Sequence, residues 1–364
     1  MQQRTMRRMA RAALLLLGGL SACTPAAPIG ADSTRAGQAR AALDLAIPAL
    51  MERHHVPGLA VAIVDAEGTI LIAGHGHTDA SGSERVDGST VFEAASLGKA
   101  LFAHGILQAQ ADPPFDPDTP ITDLLQAPVV NDPRGATITG RHLLSHTSGL
   151  AFSESEGRRH LAFPPGTQWQ YSGLGFHVLQ QTVETLWDTP IEPLMHRVLF
   201  GPLGMDATSY LPPRHATQAW ASGHDRQGQP LPPSTWTTAS ASSSLHTSAR
   251  DYGRFLSAVL AELRSHPDGQ AARMLQPQVE VDGARRLHWG LGWAVAREPS
   301  DTVFLHWGTN PGFKSLAVGS LQQQTAMVVL TNGDNGLEIA TALVPIVFGH
   351  AYPFLDFYML HPDD

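Results

Sequence analysis

A serine and a lysine three positions apart give the clearest chemical signal in the sequence. Ser96 precedes Lys99 at the start of a predicted apolar helix that runs from Ala100 to Gln108. Three residues are nearly one helical turn, so the Ser96 Oγ atom and the Lys99 Nζ atom can meet on one face. A desolvated, partly neutral amine can remove the hydroxyl proton and make the serine a nucleophile. The free N–H groups of the helix start suit an oxyanion.

This spacing also has a purely structural explanation. The chain contains only two lysines, Lys99 and Lys314. A serine near a helix start followed by a solvated lysine one turn later is a common arrangement. The pair alone does not decide between a catalytic and a structural interpretation. The sequence around it has to distinguish the two.

The sequence predicts strands and helices in both terminal parts of the chain and mainly helices in the segment between them. A helix is predicted from Gln38 to His54, followed by a hairpin of Leu59–Val64 and Thr69–Ala73. After Ser240 further strands are predicted, and a last apolar helix runs from Leu337 to Phe348. The predicted later strands are Trp289–Val295, Val303–His306, Ser315–Val318 and Ala326–Leu330.

These patterns predict an α/β (α+β) fold in which one antiparallel sheet is flanked by helices from both chain ends. Residues 34–110 and 234–364 form the sheet domain. Residues 111–233, where short helical runs are broken by Pro and Gly clusters, form a mainly helical inserted domain. A chain of 364 residues is long enough for one large or two interleaved domains.

The first residues are typical of an exported protein. Residues 1–22 carry four arginines and then an apolar run, Ala12 to Leu20, which is too short for a comfortable membrane span. The run ends in Leu20-Ser21-Ala22-Cys23, which resembles the lipobox of bacterial lipoproteins. The resemblance implies cleavage before Cys23, a lipid on its sulfur, a tether over residues 23–33, and a lipid-anchored protein on the periplasmic face of the bacterial cell envelope.

The charge and the cysteine content of the sequence argue against a disulfide-linked protein and against a nucleic-acid-binding protein. Cys23 is the only cysteine, so no intrachain disulfide can form. Removal of residues 1–22 takes away four arginines and no acidic residue, which lowers the formal net charge from −9 to −13. An acidic protein of this kind is not expected to bind nucleic acid.

Several short motifs follow one another along the chain. They are Ser96-Leu97-Gly98-Lys99, the segment His142 to Leu150, the segment Pro165 to Ser172, Gly201 to Met205, and His306-Trp307-Gly308 before Asn310 to Phe313. In this order they resemble the serine β-lactamase and D-alanyl-D-alanine peptidase superfamily in its class C-like branch, which has Tyr-x-Asn where Tyr171 to Gly173 stand. The similarity covers roughly residues 35–350, and many weak motifs in the same order make a strong signal.

The resemblance implies a serine hydrolase that works through an acyl-enzyme, without a cofactor, on a small-molecule or peptide substrate. Ser96 is then the nucleophile, Lys99 its proton-handling partner, and Tyr171 a second base acidified by Lys99. The backbone N–H groups of Ser96 and Thr309 form the oxyanion hole. Substrate-binding positions are Gly173, His306, Trp307 and Gly308, the last of which lets substrate lie close to its strand.

Two departures from the family pattern bear on specificity. Gly173 stands where the family has asparagine, so no side-chain amide is available there. His306 replaces a lysine, and an imidazole is mostly neutral near pH 7, so a permanent cation for a substrate carboxylate is lost. Both changes favour an esterase or a peptidase of altered specificity over an efficient β-lactamase. Lys314 or an arginine of the helical insertion is a candidate for supplying the missing charge.

Two other classes of function remain as alternatives. One is a catalytically weak lipoprotein that binds peptidoglycan or acyl groups. The other, more remote, is a metal-dependent hydrolase, since His75-Gly76-His77-Thr78-Asp79 imitates part of a metal-binding signature but lacks its last histidine. Because that histidine is missing, no metal site is predicted. The natural substrate and the oligomeric state stay open.

Overall fold

The computed structural model describes residues 33–151, 159–212 and 219–361. The predicted signal peptide, Cys23 and most of the predicted tether lie outside these ranges. Within them no helix combines the length and the apolar character needed to cross a membrane.

The strands form one large sheet and one small one. The large sheet is antiparallel, in the order β2-β1-β10-β9-β8-β7-β6-β5, and β3 pairs with β4 separately. The strands are β1 Gly58–Asp65, β2 Gly68–Gly76, β3 Val91–Ala95, β4 Leu245–Ser248, β5 Val279–Asp282, β6 Leu287–Trp289, β7 Ala294–Glu298, β8 Asp301–Asn310, β9 Phe313–Ser320 and β10 Thr325–Thr331. The predicted antiparallel sheet, built from distant parts of the chain, is confirmed.

Helices cover both faces of this sheet. They are α1 Ser33–His54, α2 Leu97–Gln108, α3 Ile121–Leu125, α4 Gly140–Leu144, α5 Gly173–Leu186, α6 Ile191–Met195, α7 Gly201–Leu203, α8 Ala249–Ser265, α9 Gln270–Met274 and α10 Gly336–Phe348. Every named strand lies outside residues 111–233, whose described part holds α3 to α7. The division of the chain into domains stays a prediction.

Strand β1 shows how the core is divided. All its residues are buried, and alternate side chains of a strand point to opposite faces. Leu59, Val61 and Ile63 pack in the cluster that contains residues of α1 and α10. Their neighbours Ala60, Ala62 and Val64 pack in the cluster that contains residues of α2 and α8. A sheet buried on both faces is rigid, which suits an element that has to position a reaction site.

One strand prediction is wrong. The run Trp289–Val295 was expected as a single strand, but β6 ends at Trp289 and β7 begins at Ala294. Between them the chain reverses, closed by a hydrogen bond of 2.8 Å from the Gly290 N–H to the Trp293 carbonyl. Gly292 has φ +83°, which only glycine adopts readily. Gly290 and Gly292, within the apolar run Trp289–Val295, therefore form a turn between two strands.

Candidate active site

Ser96 lies at the junction of a strand and a helix. Strand β3 is buried throughout and ends at Ala95, whose φ of +49° is unusual for a residue with a side chain. Helix α2 starts at Leu97, and Ser96 occupies its N-cap position without a side-chain capping bond. The Ser96 hydroxyl is therefore available for other partners. The strained residue before it turns the chain sharply from the strand into the helix.

Lys99 meets Ser96 as the spacing predicts. Its Nζ atom lies 2.8 Å from Ser96 Oγ and 2.6 Å from the carbonyl oxygen of Ser242. Ser96 Oγ lies 3.1 Å from the same carbonyl. The lysine is 1% exposed, and burial lowers its pKa from 10.5 to about 7. Near neutral pH a large share of the amine is therefore unprotonated and can accept the proton of the Ser96 hydroxyl.

Tyr171 completes the cluster, with one correction. Lys99 Nζ lies 5.0 Å from the centre of the Tyr171 ring. The expectation that Lys99 acidifies this phenol is wrong, because burial raises the Tyr171 pKa and outweighs the opposite effect of a hydrogen bond with Ser96. The phenol therefore stays protonated at neutral pH. It is suited to donating a hydrogen bond or a proton, whereas Lys99 is suited to accepting one.

His146 packs against the Tyr171 ring. Its ring centre lies 4.3 Å from that of Tyr171, and its Nδ1 atom accepts a hydrogen bond of 3.1 Å from the Ser172 N–H. It lies beyond the end of α4, with φ +57°, and is 1% exposed. Its role in holding Tyr171 depends on contacts that no local sequence pattern reports. His142, by contrast, forms a capping box with Thr139 at the start of α4.

The two predicted oxyanion donors lie at element ends. Ser96 opens α2, and Thr309 is exposed near the end of β8, where it pairs with Lys314 of β9. The pair Asn310–Phe313 closes the two-residue turn, so the alternating hydrogen bonds of an antiparallel pair direct the Thr309 N–H away from β9. Strand β7 pairs with β8 only as far as Leu305. The N–H of Thr309 therefore lies at an open edge.

Gly308 lies close to strand β3. A Cβ atom added there would overlap the Ala94 carbonyl oxygen and the Ser315 hydroxyl. The absence of a side chain therefore lets β3 pack closely on β8. This glycine therefore positions the strand that leads to Ser96, and its contact with substrate stays a prediction.

His306 and Trp307 are not placed to contact a substrate. His306 is fully buried, and its Nδ1 atom donates a hydrogen bond of 2.9 Å to the Trp307 carbonyl. Burial, with the charge of Lys99, lowers its pKa to about 3, so the imidazole is neutral. Trp307 is 3% exposed and stacks on Tyr171 with ring centres 5.9 Å apart. Both residues are buried, and the neighbouring Trp289 is fully buried in the core.

The other two positions considered for substrate specificity, Gly173 and Lys314, do not supply a cation for a substrate carboxylate. Gly173 is the half-buried first residue of α5 and has no side chain to offer. Lys314 is 5% exposed and donates to the Asn310 carbonyl, 3.0 Å away, and to Asp334, 2.5 Å away. It holds the β8–β9 turn and is not free to bind a substrate carboxylate. Among the described residues no cluster of three or more His, Cys, Asp or Glu side chains could hold a metal ion.

Comparison with known proteins agrees with this geometry. The Beta-lactamase family model matches residues 43–347. Penicillin-binding protein 4 of Amycolatopsis lactamdurans is 28% identical over 340 residues, which cover 83% of this chain and 87% of that protein. The D-aminopeptidase of Gluconobacter oxydans is 25% identical over 335 residues, and the match spans 84% of this chain but only 61% of that protein.

A solved structure supports the fold. The D-alanine carboxypeptidase AmpC from Burkholderia cenocepacia superposes with a TM-score of 0.74 at 20% identity, over 86% of this chain and 99% of that one. At this identity the likeness concerns the fold alone. It agrees with the antiparallel sheet flanked by helices described above.

Proposed function

The chain belongs to the Beta-lactamase family and is a serine hydrolase, and from this premise we propose that Ser96 forms the acyl-enzyme with Lys99 as its base. The Ser96 proton passes to the neutral Lys99 amine while Oγ attacks the substrate carbonyl. The backbone N–H groups of Ser96 and Thr309 stabilise the oxyanion that forms. The observation that carries this assignment is the short contact between Ser96 Oγ and Lys99 Nζ.

The second half of the reaction uses the same groups in reverse. Protonated Lys99 gives its proton to the leaving group as the substrate bond breaks, either directly or through the Tyr171 phenol, which donates its own proton and takes up that of Lys99, so Lys99 is neutral again. A water molecule then gives its proton to neutral Lys99 and attacks the acyl-Ser96 ester. Tyr171 is more suitable as a donor than as the water-activating base that the resemblance implied, because its raised pKa keeps the phenol intact.

For the substrate we propose an acyclic carboxyl ester or amide in preference to a β-lactam. His306 is neutral and buried, Lys314 is paired with Asp334, and Gly173 offers no amide. A carboxylate-bearing β-lactam would therefore find no partner at the positions where the family pattern provides one. The name of the D-aminopeptidase relative points to cleavage of an acyclic amide bond. The comparisons support neither the weak binding lipoprotein nor the metal-dependent hydrolase.

The proposal is tested by comparing p-nitrophenyl acetate with nitrocefin, a chromogenic β-lactam. We expect kcat/KM for the ester to exceed that for nitrocefin by about tenfold or more, because the missing polar groups cost transition-state binding only for the β-lactam. The Ser96→Ala variant supplies the blank. Efficient nitrocefin turnover that disappears in Ser96→Ala would overturn the substrate assignment and leave the nucleophile in place.

We further propose that the protein is exported and anchored by a lipid on Cys23. The arginines and the apolar run before that residue, and its lipobox-like setting, support the proposal. Detergent phase partitioning of the full chain tests it. Wild type should enter the detergent phase and Cys23→Ser the aqueous phase. A wild type that stays wholly aqueous would contradict it.

A further inference from the structure

A pocket of about 500 Å³ is lined by residues that include members of β3, β4 and the β8–β9 turn. It is lined largely by apolar and aromatic side chains, with a few polar groups among them. The lining residues that matter here are Glu93, Trp220, Trp236, His246, Asn310 and Phe313. A concave site with an apolar wall and a few convergent polar groups is the usual form of a small-molecule site.

Two chain segments connect this pocket to the reacting groups. Asn310 directly follows Thr309, the predicted oxyanion donor, and its amide donates to the Ser243 carbonyl, 3.1 Å away. Ser243 in turn follows Ser242, whose carbonyl bonds to the nucleophile and the base. The same Asn310 amide donates to Glu93, 2.8 Å away. The pocket wall is therefore hydrogen bonded to the two segments that carry the predicted oxyanion donor and the Ser242 carbonyl.

Glu93 brings a negative charge into this apolar setting. Its side chain is 7% exposed and accepts hydrogen bonds from Asn310, from Trp236 Nε1 at 3.1 Å, and from the Ser234 hydroxyl. All three donors are neutral. None of the ion pairs found among the described residues includes Glu93. A buried carboxylate without a counter-charge gains most from a ligand that supplies one.

His246 provides a second acceptor beside the carboxylate. It is 2% exposed, and its Nδ1 atom has no hydrogen-bond partner among the described residues. Burial lowers its pKa and outweighs the opposite effects of the Glu93 charge and of a backbone hydrogen bond at Ser244, so the imidazole is neutral and can accept an N–H bond. Trp220 lies against it, with ring centres 5.1 Å apart. Buried polar atoms normally have partners, so an unpartnered one in a pocket wall indicates a missing ligand group.

We infer that this pocket binds a protonated primary amine carried by the substrate. The ammonium group donates to the Glu93 carboxylate and to His246 Nδ1, and the aromatic walls favour a cation over a neutral group. The inference rests on the proposed function in one respect, namely that the amine belongs to the molecule that Ser96 attacks. It narrows the substrate class to amino-bearing esters or amides, such as those with a free α-amino group.

The direct test is a binding comparison of benzylamine with benzyl alcohol on the wild-type protein near neutral pH. The two probes share size and ring but differ in charge, and calorimetry or tryptophan fluorescence reports their binding. We expect the amine to bind about tenfold more tightly or better. Equal affinities, or tighter binding of the alcohol, would overturn the inference without use of any variant.

Two matched variants test whether Glu93 causes the preference for benzylamine over benzyl alcohol. Glu93→Gln should bring the two affinities together, whereas Glu52→Gln, the same change at an exposed position of α1, should leave the preference for the amine intact. A thermal unfolding scan shows whether each variant is folded. A folded Glu93→Gln protein that keeps the full preference for the amine would also overturn the inference.

A substrate pair separates this inference from the proposed function. Alanine methyl ester carries a free amine and N-acetylalanine methyl ester does not, and acid release reports the hydrolysis of either. A higher kcat/KM for the free amine supports the inference. Hydrolysis of both esters with no preference contradicts it and leaves the serine hydrolase proposal intact. Amine binding without hydrolysis of either ester supports the amine site and counts against the proposed ester chemistry.

Discussion

The Nζ atom of Lys99 lies 2.8 Å from the Oγ atom of Ser96, and both atoms hydrogen bond to a single backbone carbonyl, that of Ser242. This arrangement explains how a poor nucleophile is activated without a histidine. When Lys99 is protonated it donates to Ser96 Oγ. When it is neutral it can accept the Ser96 proton. The direction of one hydrogen bond therefore depends on the protonation state of a single buried amine.

The first prediction concerns the pH dependence of activity. Burial lowers the Lys99 pKa to about 7, and only the neutral amine can act as the base. The value of kcat/KM for p-nitrophenyl acetate should therefore rise with pH through about 7 and level off above it. A value of kcat/KM that does not change between about two pH units below and about two pH units above that pKa would show that a different group accepts the proton.

The second prediction concerns stability. The Lys99 pKa is 10.5 in an unfolded chain and about 7 in the native protein, so between these values the unfolded state binds more protons. The contribution of this group to the free energy of unfolding therefore rises with pH across that window and is lost as pH falls to about 7. Lys99→Met should be inactive, yet more stable than wild type near pH 7, by a margin that shrinks toward pH 10.5. Urea unfolding at several pH values measures this.

A pH-independent difference between Lys99→Met and wild type would contradict that assignment. The matched control is Lys314→Met, at the only other lysine. Burial lowers the pKa of Lys314 as well, but Asp334 opposes the shift. Loss of this ion pair should destabilise the protein, so the two Met variants should change stability in opposite directions near neutral pH.

The third prediction concerns Tyr171. Because its pKa is raised and the phenol stays protonated, Tyr171→Phe should lower kcat by about 10- to 100-fold through loss of a donor. The ring stack with Trp307 is retained, so the variant should stay folded. The rise of kcat/KM near pH 7 should persist, since it reports Lys99. If that rise disappears in Tyr171→Phe, the Tyr171 phenol is the titrating base, and Lys99 would then be the proton donor.

The fourth prediction concerns the turn that carries Thr309. Lys314 Nζ bonds to the Asn310 carbonyl and to Asp334, which also accepts from the Gly312 N–H at 2.8 Å. Lys314→Met should lower the free energy of unfolding by about 2 kcal/mol, less than for a fully buried pair because Asp334 is partly exposed. It should also lower kcat by several-fold, because the Thr309 N–H loses its support.

A double-mutant cycle checks this prediction. Asp334→Asn combined with Lys314→Met leaves no unpaired charge and should be less destabilised than the sum of the single changes. Strictly additive effects on stability would show that the two side chains do not interact as described.

Sequence reasoning succeeded where the determining interactions are local or periodic. The Ser96–Lys99 contact follows from helical spacing, and the strands from runs of apolar residues. It failed where a contact joins distant parts of the chain. The Ser242 carbonyl has no side-chain signature and reaches Lys99 across 143 positions. The burial of His306 and Trp307 depends on the rings of Tyr171 and Trp289 packing over them.

The same distinction applies to Gly308 and His146. Gly308 was expected to make room for substrate, and in the structure it makes room for Ala94, a residue of another strand. His146 is buried, and its Nδ1 atom accepts a hydrogen bond from the Ser172 N–H, 26 positions away, a contact that no local pattern indicates. The roles of the site residues stay predictions, and the contacts around each residue decide which role its side chain can take.

Acylation of Ser96 is the central claim, and intact mass spectrometry after treatment with a fluorophosphonate probe tests it most directly. The account predicts one covalent adduct per chain on the wild-type protein and none on the Ser96→Ala variant, with slower labelling below pH 7 (about the pKa of Lys99). An adduct that persists in folded Ser96→Ala would contradict the account, because the nucleophile would then lie elsewhere.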